Sequence, residues 1–143
     1  MKQKFFDSLE SIKMTFSDSL IYADYAKKSN YYYDFIDDAD LIRLNKSDVT
    51  DMTMALYQLE QNYILQLGRK YMEDSLLVKK FEDDLIFWFA RNNYMVQQIQ
   101  AYSKQFAGQR IIILTGLNHK YYLLDKLREQ ESGTIKIHEI VNN

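Results

Sequence analysis

The sequence predicts an α+β fold, mainly helical, that ends in a parallel βαβ unit. Three observations lead there. Proline is absent and glycine occurs only 4 times, so chain breakers are few and helices can run long. Apolar residues recur at three- and four-residue spacing over much of the stretch from Phe5 to Phe106. After Gly108 that spacing gives way to a β-branched run, a short helical pattern and an alternating segment. At 143 residues the chain is read as one domain, 1–143, with a helical region over 1–107 and the βαβ unit over 108–143.

Each element has its own local signal. Phe5, Leu9, Ile12 and Phe16 share one helix face, and a second short helix is placed over Leu20 to Lys28. From Ser29 to Leu44 no clean period appears, so that stretch reads as loop with a helical turn at most. Asn45-Lys46-Ser47-Asp48 carries the side chains that accept orphan backbone N–H bonds at a helix start. Val49, Met52, Leu56, Leu59, Tyr63 and Leu67 continue that helix, and Gly68 offers a stop or kink. The clearest helix spans about Ser75 to Ala107 on the stripe Phe81, Leu85, Trp88, Met95, Ile99, Tyr102 and Phe106, with Gly108 where a C′ glycine belongs.

The run Arg110-Ile111-Ile112-Ile113-Leu114-Thr115 then reads as a strand buried on both faces. A helix from Asn118 to Gln130 turns Leu123, Leu124 and Leu127 inward. Ser132-Gly133 leads into a second strand, Thr134 to Val141, and the crossover is right-handed by the usual rule. Two parallel strands alone are marginal. Either the aromatic helices cover them, or the missing strands come from another copy or a longer parent protein. The partners this implies are a homo-oligomer or a missing N-terminal half.

Composition removes several classes of function. The net charge is -2 and no basic stripe appears, so nucleic acid is not an expected partner. No apolar run approaches the roughly 18–20 residues of a membrane span. Met1-Lys2-Gln3-Lys4 is basic, but Asp7 and Glu10 interrupt any apolar core of a signal peptide. The absence of cysteine excludes disulfides and thiolate chemistry and fits a reducing compartment, read here as the cytoplasm. With 2 histidines and no cysteine, a self-contained structural zinc site is not expected.

The best candidate site is Gly116-Leu117-Asn118-His119. A turn after a buried parallel strand lies where α/β proteins place ligands. Backbone N–H groups at the following helix start suit an anion, and Gly116 would let the backbone bend and a ligand approach. His119 is placed for proton transfer or metal binding, or else only caps a neighbouring carbonyl. Asn92 interrupts the apolar stripe between Trp88 and Met95, so its amide needs partners, catalytic or structural. Arg91 beside it pairs with Asp83 or Asp84, or reaches an anionic ligand. His138, the tyrosines 31–33 and the acidic runs at 37–40 and 82–84 read as packing or solvated surface.

Trp88-Phe89-Ala90-Arg91-Asn92, the run from Arg110 to His119, and Leu123-Leu124 together resemble the C-terminal half of TraB/Tiki-like proteins. These belong with the erythromycin-esterase-like and ChaN-like proteins. The likeness is to a bacterial subgroup in which an Arg-Asn helix precedes a strand ending in Gly-x-x-His. It covers about Asp83 to Leu127, with a fainter likeness from Leu44-Asn45 through the helix containing Tyr57.

Members of that group carry two Gly-x-x-His turns, a glutamate and an arginine around one pocket. Some are metal-dependent peptidases or hydrolases, and ChaN-like members bind haem. The resemblance therefore implies half of a larger α/β hydrolase domain. His119 would be its catalytic residue, and Arg91, Asn92, Gly116 and Asn118 would bind the ligand. A divalent metal enters by resemblance only. The first Gly-x-x-His turn and its glutamate have no counterpart here, so the chain alone is expected to be inactive. The alternative is a non-enzymatic interaction module that keeps only the fold.

Overall fold

A computed structural model describes residues 2–129 and 136–139. Its regular elements are all helical: α1 (Lys2–Glu10), α2 (Phe16–Asp38), α3 (Leu41–Leu44), α4 (Ser47–Leu59), α5 (Leu65–Tyr71), α6 (Ser75–Gln105) and α7 (Leu117–Arg128). A π-helical turn, Glu60–Ile64, joins α4 to α5 without a break.

The chain forms two compact units, and the boundaries between them fall at the end of α2 and inside α4 and α6. The first comprises Met1–Asp38 and Ala55–Trp88. Its centre is an aromatic cluster. Phe5 stacks on Phe81 with ring centroids 4.0 Å apart, while Phe6 stacks on Tyr25 and meets Phe81 edge-on. Such offset and edge-on pairs add ~0.5–1.5 kcal/mol each beyond their area burial. Around them Leu9, Tyr32, Ile64, Leu67 and Leu85 are buried.

Gly68 lies inside α5 instead of ending it. Its role is steric: a Cβ there would stand 2.6 Å from Phe5 Cζ, so only a hydrogen lets that ring in. At the surface Asp18 accepts from Lys70 at 2.7 Å and from Thr15 at 2.8 Å, and also from Tyr71, which clips the start of α2 to the end of α5.

Two N-terminal expectations need correction. The face Phe5, Leu9, Ile12, Phe16 does not belong to one helix: α1 ends at Glu10, and Phe16, 80% exposed, opens α2. The stretch Ser29 to Leu44 is also mostly helical, because α2 runs on to Asp38. That helix buries only Tyr25 and Tyr32, two turns apart, and such a narrow stripe leaves little period to read.

A third difference is a buried line set one position round the helix from the expected stripe. Met52, Leu59 and Tyr63 give way to Thr53, Glu60 and Ile64, and the departure begins before the π turn. Tyr63 turns outward, 50% exposed, and Ile64 turns in, fully buried. The buried line is Val49, Thr53, Leu56, Glu60, Ile64 and Leu67, and two of its members are polar. Thr53 is satisfied within its own helix, donating from Oγ1 to the Val49 carbonyl at 2.8 Å.

The second unit comprises Ala39–Met54 and Phe89–Asn143. Asp40 caps α3 by accepting from the Arg43 N–H at 2.7 Å. The buried residues are Val49, Thr53, Asn92, Val96, Tyr121 and Leu123. Helix α7 is tied to α6 by Tyr122, which donates to Asn93 at 2.7 Å and packs on Phe89. Lys120 ties the same helix to the Asn45 carbonyl at 2.6 Å. Helix α6 ends as its glycine indicated, with Gly108 in the left-handed region at φ 80°.

Among the described residues the α+β fold and its parallel βαβ unit are absent. No strand occurs among the described residues. Residues 110–116 are neither helix nor strand, and Ile111, Ile112, Ile113 and Leu114 are 41%, 73%, 44% and 92% exposed where burial on both faces was expected. Of the second strand, residues 136–139 have no regular structure; its remainder and the Ser132-Gly133 turn lie outside the described residues. The physical reason is non-local. A β-branched run becomes a strand only when a second edge takes up its backbone groups, and the described residues supply none. Among them, no helix is long and apolar enough to cross a membrane.

Candidate functional site

The Gly-x-x-His turn opens α7. Gly116 is the N-cap at φ -68° and ψ 152°, a conformation open to any residue, and its carbonyl accepts from the His119 N–H at 3.0 Å. A Cβ on Gly116 would meet only His119 Cδ2, at 3.8 Å, an ordinary contact. The expected need for glycine here, to bend the backbone or admit a ligand, is therefore absent. No side chain caps the helix start, and both Gly116 and Asn118 are exposed.

One turn into α7 the His119 side chain reaches α6. Its Nδ1 lies 2.8 Å from Asn92 Oδ1, across 27 residues of sequence. Asn92 is fully buried, so the amide that breaks the apolar stripe is held by packing, and its oxygen meets this ring. An amide oxygen only accepts, so Nδ1 must carry the proton, which puts the ring's lone pair on Nε2.

Burial holds the imidazole pKa below its usual value, and the positive charge of Arg91 adds to the effect. His119 is thus a neutral base of fixed tautomer at neutral pH. Arg91 is exposed, and the partner expected for it at Asp83 is instead bound by Lys79 at 3.0 Å.

The structure thus brings His119, Asn92 and Arg91 together at the start of α7. The strand meant to carry the turn is missing. These residues do not fit a divalent metal. They offer one imidazole whose Nδ1 is engaged, beside an arginine cation, against the roughly three protein ligands of a catalytic site. Among the described residues, no three His, Asp or Glu side chains gather to hold one.

Sequence reasoning missed a second polar centre, in the first unit. Glu60 opens the π turn and is 4% exposed. Its carboxylate accepts from Tyr25 at 2.7 Å and from Lys2 at 2.8 Å. Lys2 Nζ also lies 5.5 Å from the ring centre of Tyr57, which stacks on Trp88 at 4.2 Å. Burial first, and the Glu60 charge next, push both the Tyr25 and Tyr57 hydroxyls well above the usual tyrosine range. The available signal was a charge four residues after Leu56 on the same helix face. No family model matches the chain, and neither a curated protein nor a solved structure matches it significantly.

Proposed function

We propose that this chain is the histidine-bearing half of a TraB/Tiki-like hydrolase domain and has no turnover by itself. The observation that supports the reading is the His119–Asn92 hydrogen bond. Asn92 fixes the ring and its tautomer, the lowered pKa keeps His119 neutral, and Nε2 takes up a proton as water or another hydroxyl nucleophile attacks. Arg91 supplies positive charge beside the ring, where an acyl oxyanion would be stabilised. A partner in the cytoplasm completes the site with a second Gly-x-x-His turn and a glutamate. The purified chain should therefore show no ester or peptide hydrolysis. A complex reconstituted with such a partner should be active and should lose that activity with His119→Ala. Turnover by the chain alone that disappears in His119→Ala would overturn the reading.

A second reading, a non-enzymatic interaction module, is favoured by the exposure of Ile111 to Leu114. In it the connector between α6 and α7 is the docking element, and the chain forms homo-oligomers through it. The His119–Asn92 bond then only anchors one end of that connector.

A further inference from the structure

Residues 110–115 form an open backbone edge. Among the described residues, none of their N–H or C=O groups has a hydrogen-bond partner. The chain has no proline, so every N–H in the run can donate. The side chains between Arg110 and Thr115 are all apolar, three of the four β-branched. Tyr102 on α6 and Phe106 just past its end are exposed as well. An occupant that only buries side chains would leave these backbone groups unsatisfied, so the matching surface is another extended strand.

The run is also compatible with its own image. A two-fold axis at Ile112 sets Ile112 of one copy opposite Ile112 of the other as a hydrogen-bonded pair, Ile111 opposite Ile113, and Arg110 opposite Leu114. The two arginines then lie at opposite ends of the pair, and no like charges face each other. We propose that two copies of this chain associate through residues 110–115, paired as antiparallel strands about that axis. The inference rests on the second reading above and is independent of hydrolysis by a His119 half-site. A six-residue ribbon buries well under the roughly 1,200 Å² of a standard interface, so the dimer is weak and concentration-dependent.

The test uses the full chain. Sedimentation equilibrium from 5 to about 500 µM, a span suited to weak association, should show a monomer–dimer equilibrium. Ile112→Pro removes one N–H at a site 73% exposed, and should raise the dissociation constant at least about tenfold while the helical circular dichroism stays unchanged. Ile112→Thr keeps the N–H and the β-branch and should stay within about threefold.

The chain has no native cysteine, so Ile113→Cys and Arg110→Cys can each carry a spin label with no proline introduced. At ~3.4 Å per residue, position 113 should lie about 8 Å from its mate and position 110 about 15 Å. A monomer throughout, a dimer indifferent to Ile112→Pro, equal separations at the two labels, or two long ones would each overturn the proposal. The half-site reading fails separately, in the His119 assay.

Discussion

Two side-chain pairs make claims at the scale of single residues. His119 should titrate below 6.5 by NMR, with nitrogen shifts that place the proton on Nδ1. Arg91→Gln should move the titration up, since the arginine charge opposes protonation. No rise in Arg91→Gln would remove the arginine from the site. The buried Glu60 makes an energetic claim. Glu60→Leu takes the acceptor from both Tyr25 and Lys2 and should cost about 1–3 kcal/mol of unfolding free energy. In that background Tyr25→Phe should cost much less than in the parent, with a coupling of about 0.5–3 kcal/mol in a double-mutant cycle. Additive losses would mean that the two groups do not interact.

At the scale of elements, Gly68 separates two explanations for a helical glycine. Alanine is favoured over glycine in a helix by up to about 1 kcal/mol, whereas forcing a methyl against the packed Phe5 ring costs about 1–3 kcal/mol. Gly68→Ala should therefore destabilise by urea denaturation, and Gly68→Ala with Phe5→Leu should recover part of the loss. A stabilised Gly68→Ala would refute the tight approach.

The same helices show what sequence can and cannot reveal. Helix α6 was legible because a wide stripe and a terminal glycine are local signals. The His119–Asn92 pairing was also foreshadowed, since an amide on an apolar stripe requires a partner. Glu60 was hidden because the stripe was traced through apolar residues alone, while the buried line passes through the polar Thr53 and Glu60 at ordinary helical spacing. Residues 110–115 misled because strand formation depends on a partner edge, and β-branched composition says nothing about whether one is present.

At the scale of the whole molecule, two groups shape stability towards acid. The folded pKa of His119 lies below its ordinary value, so across that interval the unfolded chain binds more protons. Stability should be full above about pH 6.5, the reference for histidine, and should decline as pH falls towards the lowered value. Asp18 acts further down. The Lys70 hydrogen bond, then those of Tyr71 and Thr15, hold its carboxyl at about 2 from an ordinary 3.8, so its contribution is lost between those two values. In denaturation midpoints measured against pH, His119→Gln should flatten the upper step and Asp18→Asn the lower. Variants that leave both steps in place would show that other groups govern the profile.

The packing of α1 carries a consequence for synthesis. Its residues settle against groups made much later: Lys2 awaits Glu60, 58 residues on, and the Phe5 ring awaits Phe81 and the space at Gly68. At a ribosomal rate of about 5–20 residues per second, α1 waits roughly 3–12 s before even Glu60 exists. Through that interval Phe5 lacks its native stacking partner, whereas Phe6 gains Tyr25 before Glu60 is made. The Phe5 ring thus stays open to chaperones and to aggregation until the first half of α6 emerges.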